Sequence, residues 1–563
     1  MKPIARALAH AVLATVLVLP QAMVHAADSL VLYNANAYTA VDAHPRVDAV
    51  VAVNGRITFA GSTADALRHA PADSRRIDLH GQTLLPGLTD AHAHLAGIGE
   101  RELNFSLEGT SSLAELKTRL ATRAAENPHD AWIVGRGWIE SRWQPASFPS
   151  RRDLDAVVAD RPVILVRADG HALVANSVAL GRAGVDRNTK NPPGGEILRD
   201  VSGEPTGMLV DEAMDLVRKL VPPRTEADIA KELEAGARKY TSLGWTQLQN
   251  AGTTWSEVDL LCRLYEDGRV KLRVYDAIGG PGPDAERLLA QGPSLNRGGG
   301  RLTVRGIKLY IDGALGSRGA ALLEPYSDSP GSTGLLVNDP EKLYPTLVEA
   351  LKRGLQIETH AIGDRGNRIV LDLYERAFAA VPEKARAIAQ PRWRIEHAQI
   401  LSLADIPRFA RLGVIPSMQP SHAISDFYFA PKRLGSTRLQ GAYAWRSLLD
   451  AGSIIPAGSD APVEKGDPRI EFYAAVARRS LDGFADADWH LEQRVTRAQA
   501  LKMLTLWPAY AAFQEAERGS IEVGKQADFT VFDRDIMVVP EAGILEAKVS
   551  MTVIAGEIVH GAR

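Results

Sequence analysis

Eight short apolar runs between Thr83 and Asp460 restrict the fold more than any other property of this chain. The first is TLLPGLTDAHAH. After a long interruption come TQLQN (246–250), KLRVYDAI (271–278), VRGIKLYID (304–312), LQIETH (355–360), RWRIEH (392–397), GVIPSMQ (413–419) and SIIPAGSD (453–460). Amphipathic stretches such as DPEKLYPTLVEALKRG and DIPRFARLG lie between them. Strands alternating with helices predict a parallel sheet, and eight such units predict a (β/α)8 barrel of the α/β class.

The two chain ends read differently. SLVLYNANAYT, DAVVAV and RITFAG, with Asn54-Gly55 as a tight hairpin turn, are short β segments, and GSIEVGKQADFTVFD and KVSMTVIAGEIVHG match them at the other end. Residues 27–84 and 512–563 are therefore expected to pair into one small β-sandwich around a barrel of residues 85–511. A segment at about 110–238, containing AWIVGRGW, PVILVRADGHALVANS and GEILRDVSGEPTGMLVD, does not fit the repeat. It reads as an insertion after the first barrel strand. Loops that follow barrel strands lie on the active face, so the insertion is expected to act as a lid.

Residues 1–26 read as a signal peptide: Lys2 and Arg6, then an apolar run from Ala7 to Leu19, then Val24-His25-Ala26 with small residues at the cleavage positions. The apolar run is too short for a stable membrane anchor, so cleavage near Ala26 and a periplasmic or secreted location are expected. A net charge of -3 without a Lys/Arg block argues against nucleic acid or an anionic membrane as partner. With a single cysteine, Cys262, no intrachain disulfide or thiolate cluster can form, and any metal must be held by nitrogen and oxygen. Whether the chain pairs as a homodimer is not written in the sequence.

Catalytic groups of such barrels sit where strands end. Here the first strand ends in Asp90, His92 and His94, two apart and so on one face; the fourth carries Lys308 and Asp312; the fifth ends at His360, the sixth at His397 and the eighth at Asp460. Of 14 histidines, four fall at strand ends, and a random scatter would rarely do that. Imidazoles and a carboxylate converging on one face point to a divalent metal.

These residues, with IDGALGSRGA, HAIGDRGN and RIEHAQ, resemble the amidohydrolase superfamily over nearly the whole mature chain, and within it the branch of N-substituted formamide deformylases, amidohydrolase family 3. The resemblance implies a pair of divalent metals on His92, His94, Lys308, His360, His397 and Asp460. An ammonium has donors only and cannot bind a cation. In relatives with this pattern the lysine is carbamylated by carbon dioxide and bridges both metals, and the same is implied for Lys308. Zinc is the default for His and carboxylate ligands, though manganese, iron or cobalt also suit them.

The expected chemistry is hydrolysis of a small-molecule amide: cations about 3.5 to 4 Å apart share a hydroxide and polarise the carbonyl, while Asp460 carries the proton from nucleophile to leaving amine. Trp138, His171, Gln419 and His422 are candidates to line the substrate pocket. Asp90 is expected to support the ligands, Glu358 to lie deeper in the barrel, and Glu396 to point away from His397; Asp364 and Arg318 read equally well as loop structure, and the role of Asn250 is open. The alternatives are a single-metal deaminase-type hydrolase and a periplasmic binding protein without turnover.

Overall fold

The computed structural model describes residues 29–561 except 130, 141–142, 168–171, 193–194 and 486–488. Residues 1–26, expected as a signal peptide, and His171 lie outside the described residues. Among those described, no helix is long and apolar enough to cross a membrane.

Seven strands run parallel in one nearly closed sheet: Leu88–Ala93, Trp245–Thr253, Arg273–Gly279, Leu302–Tyr310, Gln356–Ala361, Arg394–His397 and Ile415–Ser417. A short antiparallel strand, Ser294–Asn296, hooks onto the fourth. The expected eighth strand is not a regular ladder, because Pro456 has no N–H to give. Its backbone nevertheless bridges the gap: Met418 N donates to Pro456 O (3.1 Å) on one side, and Ala91 N donates to Ala457 O (3.0 Å) and Asp460 N to His92 O (2.7 Å) on the other. Gly458 permits this approach, since a Cβ there would stand 2.3 Å from His92 N. Asp460 is thus fixed against the His-x-His strand by backbone contacts.

The first predicted run divides. Thr83–Pro86 joins a six-stranded sheet with strands from both chain ends, and the chain then passes into the barrel at Leu88. That sheet faces a four-stranded one (Ser29–Tyr33, Ala49–Val53, Arg56–Gly61, Arg75–Asp78) across Leu32, Val50, Ile57, Leu84, Phe529, Val531 and Val553. Arg273 at the base of the third barrel strand pairs with buried Asp528 (2.9 Å), tying sandwich to barrel.

The segment after the first barrel strand folds as a six-stranded sheet of its own, from Phe105–Ser106 to Pro205–Asp211, with an apolar cluster on each face. The helix Glu226–Ser242, which overlaps the predicted insertion, instead packs on helix Leu95–Leu103 as part of the barrel wall. A Cβ at Gly99 would lie 1.7 Å from Glu232 O, so glycine is what allows the helix leaving His94 to seat that closely.

Candidate metal centre

At the carboxyl end of the barrel, Asp460 stands at the centre of a histidine cluster. Its Oδ1 lies 3.1 Å from His94 Nε2 and 3.7 Å from His92 Nε2, and its Oδ2 lies 3.7 Å from His422 Nε2. The ring centroids of His92 and His397 are 5.0 Å apart, and those of His360 and His397 4.6 Å. Lys308, fully buried, brings Nζ to 3.2 Å from His92 Nε2. All six residues predicted from strand ends therefore converge. Two sets of donor atoms, His92/His94/Asp460 and His397/His422/Asp460, are each compact enough to hold a cation.

Backbone geometry places them. His397 and Asp460 both adopt left-handed conformations (φ 74° and 58°), uncommon for residues with a Cβ and characteristic of sites where position outweighs local strain. At His397 this turn undoes the strand alternation. Glu396 and Arg394 project into the barrel while Ile395 packs outward in the apolar core, yet the turn brings His397 back to the same centre. Alternation predicts only that Glu396 points away from His397 and assigns it no role, but its carboxylate serves another residue of the cluster: Oε2 accepts from His92 Nδ1. Its Oε1 lies 2.7 Å from Arg394 Nε, and Arg394 reaches Gln249, Ala91 O and Ser417 beneath the site. Glu358 lies deeper, 3.6 Å from the same guanidinium.

These bonds set tautomers. With Nδ1 of His92 donating to Glu396, and Nδ1 of His397 donating to Gln419 Oε1 (2.8 Å), both rings turn a bare Nε2 lone pair inward. Burial, followed by the charge of Lys308, pushes His92 down to about 4 and His360 down to about 3, and burial together with His360 takes His397 well below the usual imidazole value. Neutral imidazoles are the ligating form. Burial opposes ionisation of Asp460, but the His94 hydrogen bond and the surrounding imidazoles hold it well below the ordinary carboxylate range. Burial also lowers Lys308.

Asp90 does not face the cluster. It is a buried clamp: Oδ1 accepts from His92 N (3.1 Å) and Ser459 N (2.9 Å), and Oδ2 from Ser459 Oγ (2.6 Å) and Tyr240 OH (3.0 Å), locking the first strand to the segment that carries Asp460. Asp312 likewise accepts three backbone N–H groups, from Ala321, Ile362 and Gly363, beside His360. Asn250 accepts from Leu95 N (2.9 Å) and donates to Asp276 (2.7 Å). Asp364 caps loop backbone, and Arg318 pairs with Asp328.

A cavity of about 390 Å³ opens above the cluster. His422 lines it, its ring stacked on His397 and its buried Nε2 without a hydrogen-bond partner. Gln419 acts one step back, on His397. Trp138 is elsewhere. Its indole N–H donates to Leu165 O (2.8 Å) in the core of the inserted sheet, where its strand faces Trp143; Arg136 and Gly137 of the same GRGW motif instead border a separate cleft beside the site. Among the described residues no side chain of the insertion lines the cavity. Tyr310, Gln399, Asp426 and Phe429 do line it without any signal in residue type or spacing that marks them, three of the four because they sit in or beyond irregular loops.

Residues 75–560 match the amidohydrolase family. The chain is 33% identical to YtcJ of Bacillus subtilis over 93% of its own length and 98% of that protein's, and 28% identical to N-substituted formamide deformylase of Arthrobacter pascens over 94% and 97%. Among solved structures, an uncharacterized metal-dependent hydrolase from Pyrococcus furiosus superposes with a TM-score of 0.73 at 29% identity, covering 91% of this chain and all of that one. With a nearly closed parallel barrel, a His/Asp cluster at its carboxyl end and a family match over most of its length, this chain belongs to the amidohydrolase family of hydrolases.

Proposed function

We propose that this amidohydrolase cleaves an amide-type C–N bond of a small molecule at a pair of divalent cations, by default zinc, held by His92, His94, Lys308, His360, His397 and Asp460. One observation carries the reading: a single buried carboxylate, Asp460, faces imidazole Nε2 atoms from the first strand and its end and from the short helix Pro420–Ser425 after the seventh within 3.7 Å, with Lys308 against the same cluster. The donor set fits the group. His92, His360 and His397 are held neutral, the rings of His92 and His397 turn their lone pairs inward, and His422 Nε2 is buried without a partner. Lys308 fits as a carbamate, since burial favours the free amine that reacts with carbon dioxide, and the product is an anionic oxygen ligand. The relative named N-substituted formamide deformylase supports an amide substrate.

Divalent cations there supply Lewis acidity toward the substrate carbonyl and lower the pKa of attacking water to near neutrality. The chain's own residues do the rest. Asp460, ionised and rigid, takes the proton released during attack and returns it to the leaving nitrogen, which departs far more readily as an amine than as an amide anion. Glu396 and Gln419 keep the His92 and His397 rings in register. His422, beside Asp460 Oδ2, is placed to donate to or accept from the substrate. Residues 1–26 belong to the same proposal as an export signal that delivers the enzyme to the periplasm or beyond.

The test is a hydrolysis screen of formamides, N-acyl amino acids, cyclic amides and esters on zinc-loaded protein, with Asp460→Asn as the blank. Turnover of an amide that falls by about 10²-fold or more in a metal-replete Asp460→Asn protein is expected. Full turnover by that variant removes Asp460 as the proton carrier.

A further inference from the structure

We propose that the substrate carries a cation of the alkylammonium class on the part remote from the scissile bond, and that Asp426 and Glu464 select it. This rests on the cavity above the histidine cluster being the substrate site. Away from the cluster, the cavity wall is built from Leu315, Ile362 and the Phe429 ring, and the only charged side chains lining it there among the described residues are these two carboxylates. No arginine joins them, and the one lysine, Lys308, belongs to the cluster itself.

Neither carboxylate has an arginine or lysine partner among the described residues. Asp426 is held by buried donors, Gln399 Nε2 (2.5 Å) and Tyr443 OH (2.7 Å), and both bonds end on Oδ2, leaving Oδ1 without a protein donor. Among the described residues, Glu464 accepts only from Ser425 Oγ, at 2.5 Å. Arg101 lies near it in the chain's path but spends its guanidinium on the carbonyls of Pro462, Glu464 (2.6 Å) and Lys465 (2.9 Å), which fixes the loop and leaves the carboxylate uncompensated. Burial pushes Asp426 above the ordinary carboxylate value, with the charge of His422 the main opposing influence.

Partly buried charges are ordinarily paired, and here buried tyrosine and glutamine side chains are used to aim one at an open cavity rather than at a protein cation. An aromatic face and two carboxylates form an environment that attracts a desolvated ammonium and repels an anion. His422, nine-tenths buried with Nε2 unpartnered, lines the same cavity on the side of the histidine cluster. Substrates ending in a carboxylate, N-acyl amino acids among them, are disfavoured by the same arrangement.

The test uses probes of matched length whose near end is a neutral hydroxyl and which differ only at the far end: hydroxypentyl-trimethylammonium, hexanol and hydroxyhexanoate, titrated calorimetrically into the zinc-loaded, full-length mature protein. The trimethylammonium compound is expected to bind about tenfold or more tighter than hydroxyhexanoate, with hexanol between. Asp426→Asn with Glu464→Gln is expected to bring all three within about threefold, and Glu464→Gln alone, at a half-exposed position that leaves the fold undisturbed, to compress the ranking part-way. Equal or tighter binding of the carboxylate, a ranking that survives both substitutions, or no binding of any of the three at millimolar concentration overturns the assignment. The readout is binding, so a protein that turns over no amide refutes the catalytic reading while the ranking still decides this one.

Discussion

Glu396→Gln tests how the cluster is held. In the wild type both carboxylate oxygens are committed inside a fully buried pocket, Oε2 to His92 Nδ1 and Oε1 to Arg394 Nε at 2.7 Å. The amide keeps the shape, and its oxygen can still accept from His92, but it withdraws the negative charge that makes His92 Nε2 a stronger donor. Arg394, with no exposed surface, is left with Glu358 at 3.6 Å as its remaining carboxylate. Loss of such an outer carboxylate costs about 10- to 100-fold in metal affinity, roughly 1.4 to 2.8 kcal/mol. Breaking a buried ion pair costs about 3 to 5 kcal/mol, and the surviving Glu358 contact puts the expected loss near the lower figure. Zinc affinity is read by competition with a chromogenic chelator, and stability by urea unfolding of metal-free protein. A folded variant whose zinc affinity stays within about twofold of wild type would refute the claim that Glu396 orients a ligand.

Lys308→Ala is expected to lower the metal content of the purified protein by one ion per chain, measured by elemental analysis after dialysis; an unchanged content would remove the lysine as a bridging ligand. Asp276, pushed up to about 8 by burial and opposed by its Asn250 hydrogen bond, keeps its proton in the native state well above the ~4 at which an unfolded chain releases it. Its contribution is therefore complete below about pH 4 and is lost as pH rises through about 8. Asp276→Asn should flatten urea stability between these limits and gain on wild type by a few kcal/mol at most near the upper one, whereas parallel curves would show the group to be ionised in the native state. Gly99→Val places a Cβ inside the Glu232 carbonyl and is expected to cost about 3 kcal/mol or more in thermal unfolding, with a loss below about 1 kcal/mol counting against the close helix packing behind His94.

The barrel and its six converging residues were legible because strand period and strand ends are local properties. His92 and His94 share a face by alternation alone, His360 and His397 close short apolar runs, and Lys308 lies near the end of another. What alternation hid was Glu396. The rule assigns neighbours to opposite faces, and it fails where His397 turns left-handed at the strand end, something no propensity announces. The eighth strand was found by its apolar pattern, but its irregularity follows from Pro456 and from the approach Gly458 permits, which only the closed barrel imposes. Trp138 was misplaced for a related reason. A tryptophan in a glycine-flanked motif resembles a pocket wall, yet the insertion has a core of its own to fill, and Trp138 fills it against Trp143. Asp426 and Gln399 belong to segments whose positions depend on distant backbone, so sequence spacing said nothing of them.

The most direct measurement is an anomalous difference map from a crystal of zinc-loaded protein, recorded at the zinc edge. A pair of anomalous peaks is expected within ligating distance of His92, His94, His360, His397 and Asp460, with continuous density in the ordinary electron-density map of the same crystal extending from Lys308 Nζ between them. Peaks elsewhere, or a cluster that stays empty at saturating zinc, would contradict it.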